Sequence, residues 1–128
     1  RRDVYFGLLR VNGEENEHVL REAYNFTDCL CDLERFDEAK LLLRKTIPVA
    51  RRVLGEGKEI TLMMRSTYAR TLFLDRGSKL DDLREAVDTL EDVVRIARRV
   101  LGDAHPLTKT TEAHLRPVRG ALETIRTP

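Results

Sequence analysis

The hexapeptide Ala50-Arg51-Arg52-Val53-Leu54-Gly55 returns letter for letter as Ala97-Arg98-Arg99-Val100-Leu101-Gly102. A weaker mark of the same kind stands at Gly13-Glu14-Glu15, which precedes an apolar run as Gly55-Glu56-Gly57 and Gly102-Asp103-Ala104 do. The steps are 42 residues from Gly13 to Gly55 and 47 from Gly55 to Gly102. Self-similarity at such periods signals stacked supersecondary units, none of which can bury its apolar face alone. A chain of 128 residues holds one such array, so no second fold is required.

Each unit reads as a pair of helices, an A helix followed by a B helix. Leu20, Ala23, Thr27, Leu30 and Leu33 place one apolar stripe on an A helix from about Glu17 to Glu34. Asp37 suits the start of the first B helix, where a carboxylate meets free backbone N–H groups and the positive end of the dipole. That helix runs to Leu54, with Ala39, Leu43, Ile47, Ala50 and Leu54 as its core stripe. Adding 47 gives Ala86, Leu90, Val94, Ala97 and Leu101 on the second B helix, and nine of the eighteen residues from Glu38 to Gly55 recur between Glu85 and Gly102. The second A helix, about Glu59 to Asp75, repeats the first at an offset of 42, with Leu62, Ala69 and Leu72 on its stripe. Arg65 falls where the stripe of the first repeat has Ala23.

The five extra residues of the second step fall within Arg76 to Asp82. There Gly77 ends a helix and Ser78 with Asp81 resembles a capping box. Arg1 to Val11 reads as the tail of an earlier helix stopping at Asn12-Gly13. The last helix opens at His105-Pro106, with His105 as a helix-start residue and Leu115, Val118, Leu122 and Ile125 as its apolar side. Lys109, Arg116 and Arg119 occupy its equivalents of Leu62, Ala69 and Leu72. Pro48 and Pro117 lie inside helices, each removing one backbone bond. The expected division is 1–12 for the tail, 13–54 for repeat 1, 55–101 for repeat 2 and 102–128 for a partial or capping repeat. The whole reads as a segment of a longer array.

With 23 basic and 22 acidic residues the net charge is +1, which supplies no concentrated basic surface for nucleic acid or an anionic membrane. No apolar run approaches the roughly eighteen residues of a membrane span, so a soluble, cytoplasmic protein is expected. Cys29 and Cys31 project about 200° apart on one helix and read as a free-thiol pair. His18, His105 and His114 lie in three different segments without ligand spacing, so no metal site is expected. Neither a phosphate-binding glycine loop nor a nucleophile in a recognised setting is present, so neither an enzyme nor a cofactor is expected. The pairs Arg51-Arg52 and Arg98-Arg99 suit helix C-termini, where cations complement the dipole.

The helix alternation, Ala39 and Ala86 at close-packing positions, and Phe36-Asp37-Glu38-Ala39 before a B helix resemble the tetratricopeptide repeat. The 42-residue step, Gly-Glu-Glu-Asn-Glu-His before an A helix, Arg-Arg-Val-Leu-Gly closing a B helix, and Gly102-Asp103-Ala104-His105-Pro106 resemble its kinesin-light-chain-like subfamily. The resemblance implies an all-α fold, a right-handed superhelix (solenoid) of antiparallel helix hairpins. It implies a protein-interaction module that takes a peptide or helix segment on a concave face made by the A helices. It also implies that Asn25, within Tyr24-Asn25-Phe26, holds the peptide backbone; Thr67 and His114 stand at that position in the later repeats.

Helical geometry reaches the same face independently. At about 100° per residue, Arg21, Asn25, Asp28 and Asp32 lie opposite the core stripe of the first A helix. Met63, Thr67, Arg70 and Leu74 follow in the second repeat, then Thr110, His114 and Pro117. A segment carrying a basic residue and apolar anchors would complement that mixed surface. Two alternatives stay open: a structural repeat that self-associates, as a homodimer through exposed repeat ends, and a helical solenoid on RNA.

Overall fold

In the computed structural model, residues 1–126 are described, and the last two residues of the expected 102–128 segment lie outside the described residues. All regular structure among the described residues is helical: α1 (Arg2–Asn12), α2 (Glu17–Asp32), α3 (Phe36–Val53), α4 (Glu59–Leu74), α5 (Leu80–Val100) and α6 (Pro106–Arg126). Helices adjacent in sequence pack together, α1 on α2, α2 on α3 and α5 on α6, as expected of a tetratricopeptide-like helical repeat. The chain divides into two compact units, Arg1–Met64 and Arg65–Pro128, with the boundary in the sequence of α4.

In the first unit α2 begins at Asn16, whose side-chain oxygen accepts hydrogen bonds from the amides of His18 (2.8 Å) and Val19 (3.4 Å). Val19, Leu20, Ala23, Thr27 and Leu30 are buried, with the Thr27 hydroxyl donating to the carbonyl of Ala23. Leu33, expected on this stripe, is 65% exposed because α2 ends one residue before it. The helix closes with the amide of Glu34 on the carbonyl of Cys31 and that of Arg35 on Leu30, the paired bonds of a Schellman turn. Glu34 sits at φ 58°, a left-handed conformation in which its Cβ is strained. On α3, Ala39, Leu43 and Ala50 are fully buried. Thr46 and Val49 are more deeply buried than Ile47, so the core face is turned by one residue from the expected stripe. Tyr5 alone on α1 is buried, and with Phe6 and Phe26 it forms an aromatic cluster with ring centroids 5.1 to 6.3 Å apart.

In the second unit α5 buries Ala86, Leu90, Val94 and Ala97 as expected, and α6 buries Leu115, Val118 and Leu122. Ile125 is 52% exposed. The capping arrangement before α5 is displaced by one residue from the expected Ser78–Asp81 pair. The Asp82 carboxylate accepts from the Lys79 amide at 2.9 Å, while the Ser78 hydroxyl turns back to the carbonyl of Leu72. Serine thus satisfies the end of one helix and aspartate the start of the next.

Arg65 is buried at 8% exposure, and its Nη2 donates to Asp92 of α5 at 2.7 Å. The guanidinium therefore enters the interior with a counter-charge, although its Nη1 has no partner among the described residues. Removing only the counter-charge strands the cation. Asp92→Ala is accordingly expected to cost about 2–3 kcal/mol and Arg65→Met close to nothing, as measured by urea denaturation. Glu34→Gly, which relieves the left-handed strain, is expected to stabilise the protein by about 1 kcal/mol, read as a rise in Tm of roughly 3–6 °C.

Candidate functional site

The residues expected to form the groove fall on both units, and each unit presents its own portion. In the first unit Arg21, Asp28 and Asp32 are exposed on α2, and Asn25 and Met63 are half-buried. Asn25 is held in place: its Nδ2 donates to Glu22 Oε1 at 3.3 Å, and the same carboxylate receives the guanidinium of Arg1 at 3.0 Å. Glu22 thus fixes the amide that would meet a ligand, a role the sequence pattern did not suggest. An acid at i−3 on the same helix is nevertheless spaced to reach it. Arg21 pairs with Glu17 one turn earlier at 3.7 Å.

In the second unit Leu74 is 45% exposed, Arg70 and His114 are half-buried, and Thr67 is 6% exposed and so withdrawn from the surface. Arg70 of α4 and His114 of α6 come close enough to interact. Burial first, and then the charge of Arg70, hold the imidazole below the usual histidine range. His114 Nδ1 is buried without a hydrogen-bond partner among the described residues, so a proton placed there would have no acceptor. The arrangement favours a neutral imidazole beside a permanent cation, suited to an anionic ligand group.

The turns that follow α3 and α5 share one geometry. Gly55 and Gly102 both adopt φ 95°, open to glycine without strain. The amides of Leu54 and Gly55 converge on the carbonyl of Ala50, as those of Leu101 and Gly102 do on Ala97. Thr61 and Thr108, themselves 47 residues apart and fully buried, donate to Ala50 and Gly102 respectively. His105 acts as the helix-start residue, its Nδ1 accepting from the Leu107 amide at 3.0 Å.

One further feature is an open cleft between α5 and α6, about 760 Å³ in volume, whose walls include Arg95, Arg98, Arg99, Arg116 and Arg119. The sequence pattern assigned Arg98 and Arg99 to the helix dipole. It showed Arg116 and Arg119 only as polar replacements, since charge on separate helices becomes a site only once the helices are packed. No group of three or more metal-ligating side chains occurs among the described residues. Cys29 and Cys31 are free thiols and half-buried.

The tetratricopeptide repeat family model matches residues 30–57 and residues 78–107. These segments cover the B helices α3 and α5 with the turns after them, so of the expected groove residues only Asp32 lies within a matched segment. No curated protein and no solved structure matches the chain.

Because the folded state holds His114 below its ordinary value near 6.5, its contribution to stability is complete above that value. It is lost as pH falls through the folded value. Thermal melts at pH 7.5 and pH 5 are expected to show a lower Tm at the acidic pH, and His114→Gln is expected to reduce that difference.

Proposed function

We propose that this chain, which carries two tetratricopeptide repeats, is a non-catalytic protein-interaction module that binds a peptide or helix segment along its A helices. Tetratricopeptide repeats mediate protein–protein interaction, and the A helices α2, α4 and α6 carry the residues free to serve it. The observation that supports the site best is the Arg70–His114 pair of the second unit, which sets a half-buried cation beside a half-buried imidazole on two A helices. The first unit offers its own portion, Asn25 oriented by Glu22 with half-buried Met63 as an apolar anchor, and the second unit adds exposed Leu74 to its own.

The repeat division at residues 13–54, 55–101 and 102–128 and the kinesin-light-chain-like character belong to the same reading. They rest on the 42-residue step and the Arg-Arg-Val-Leu-Gly ending. A cytoplasmic location belongs to the same reading, and no helix among the described residues is long and apolar enough to cross a membrane. A second reading, self-association, draws on Val4, Phe6 and Val11 of α1, which are 48%, 47% and 79% exposed.

Random-peptide display on the chain tests the first reading. Sequence-related hits are expected, weakened roughly tenfold or more by Arg70→Glu and, separately, by Asn25→Ala, with circular dichroism unchanged. Hits indifferent to both substitutions would remove the A-helix assignment. Concentration-dependent dimers without any hits would favour the self-association reading.

A further inference from the structure

The α5/α6 cleft shares no residue with the A-helix face just described. Its floor is apolar, formed by Val94 and Leu115 at 6% and 5% exposure. Five arginines face two glutamates around that floor, in a chain whose total charge is only +1. Both glutamates are engaged: Glu112 accepts from Arg98 at 2.5 Å, and Glu91 pairs with Arg119 at 3.4 Å. Arg95 turns to Asp92 on its own helix. Arg99 and Arg116, one on each wall, have no carboxylate partner among the described residues and stand exposed.

The repeat register indicates the shape of the occupant. Arg116 and Arg119 stand 47 residues after Ala69 and Leu72, which are 0% and 1% exposed. Positions used for close packing in one repeat are accessible and cationic in the next. A floor of valine and leucine between basic walls matches an apolar stripe flanked by acids, the pattern of an amphipathic helix. It matches single-stranded nucleic acid poorly, since the lining has no aromatic residue on which a base could stack.

We propose that the α5/α6 cleft docks an acidic amphipathic helix of a partner protein. Its apolar stripe rests on Val94 and Leu115, and its carboxylates engage Arg99 and Arg116. Arginine is suited to this role because its fork of N–H donors meets a carboxylate in two parallel bonds.

Fluorescence anisotropy on the full chain tests this with three labelled probes: an 18-residue helical peptide with a leucine stripe and glutamate flanks, the same peptide with lysine flanks, and an oligouridine RNA. The glutamate peptide is expected to bind with an affinity that falls as salt rises, and the lysine peptide roughly tenfold or more weakly. The double variant Arg99→Glu, Arg116→Glu changes two exposed positions, so its circular dichroism should be intact; it should lose roughly tenfold or more of the affinity for the glutamate peptide. Arg70→Glu should leave that affinity unchanged, which separates this cleft from the A-helix face. The proposal is overturned if the glutamate peptide fails to bind, if the lysine peptide binds equally, or if the folded double variant binds as before. Tighter binding of the RNA, or a dimer in sedimentation that the double variant dissolves, would also overturn it.

Discussion

Ala39, Leu43 and Ala50 on α3, and Ala86, Leu90 and Ala97 on α5, have no exposed surface at all. They are the same three residues at an offset of 47, and the packing of each unit depends on them. Alanine brings no side-chain bulk beyond a methyl group, so a neighbouring helix can approach until backbone and side chains interlock at near-crystalline density. Leucine between two alanines then fills the space the approach leaves. A larger residue at either alanine would hold the helices apart and cost contact along their whole length. That steric demand explains why identity between the two B helices is concentrated in small and apolar positions, while their outward residues have diverged.

Helix termination is the second constraint, and it is met in two ways. Where the turn recurs after a B helix, glycine occupies the positive-φ position at Gly55 and Gly102, and the converging amides satisfy the last carbonyls. Between α2 and α3 the same left-handed geometry falls on Glu34. The Schellman bonds there are complete, so the strain is held by the packing of α2 against α3 rather than relieved by residue choice. Arginines near the B-helix ends show how one motif serves different contacts. Arg51 meets Glu56, and its equivalent Arg98 meets both Asp103 and Glu112. Arg52 reaches Glu15, whereas its equivalent Arg99 faces an open cleft. Exposed pairs of this kind contribute little stability, which leaves them free to diverge.

The interior of the second unit is less uniform than its repeat pattern. Arg65 and Asp92 place an ion pair where Ala23 stands in the first repeat. Such a pair adds less to stability than apolar packing would, but the buried cation makes its aspartate indispensable, whereas Asp92 keeps Arg95 as a partner without it. His114 likewise lies where neutral character is favoured by its surroundings and by Arg70. The Arg65–Asp92 pair ties α4 to α5, and the charge of Arg70 on α4 is felt by His114 on α6.

Helix number, order and approximate limits were legible in the sequence, because apolar spacing, repeated glycines and the duplicated hexapeptide act locally along one chain. The core alanines and leucines were legible for the same reason: packing demands the same residue at the same step. The Asn25 face was accessible to helical geometry alone, since it lies opposite the stripe. Rotation of the α3 core toward Thr46 and Val49 was not readable, nor was the burial of Thr67, because both depend on how much of a helix its neighbours cover. The partners of Arg65, the role of Glu22 and the arginine cleft were also beyond it. Each joins side chains from different helices or settles a choice among competing partners, and only the packed helices bring those charges within a few ångströms of one another.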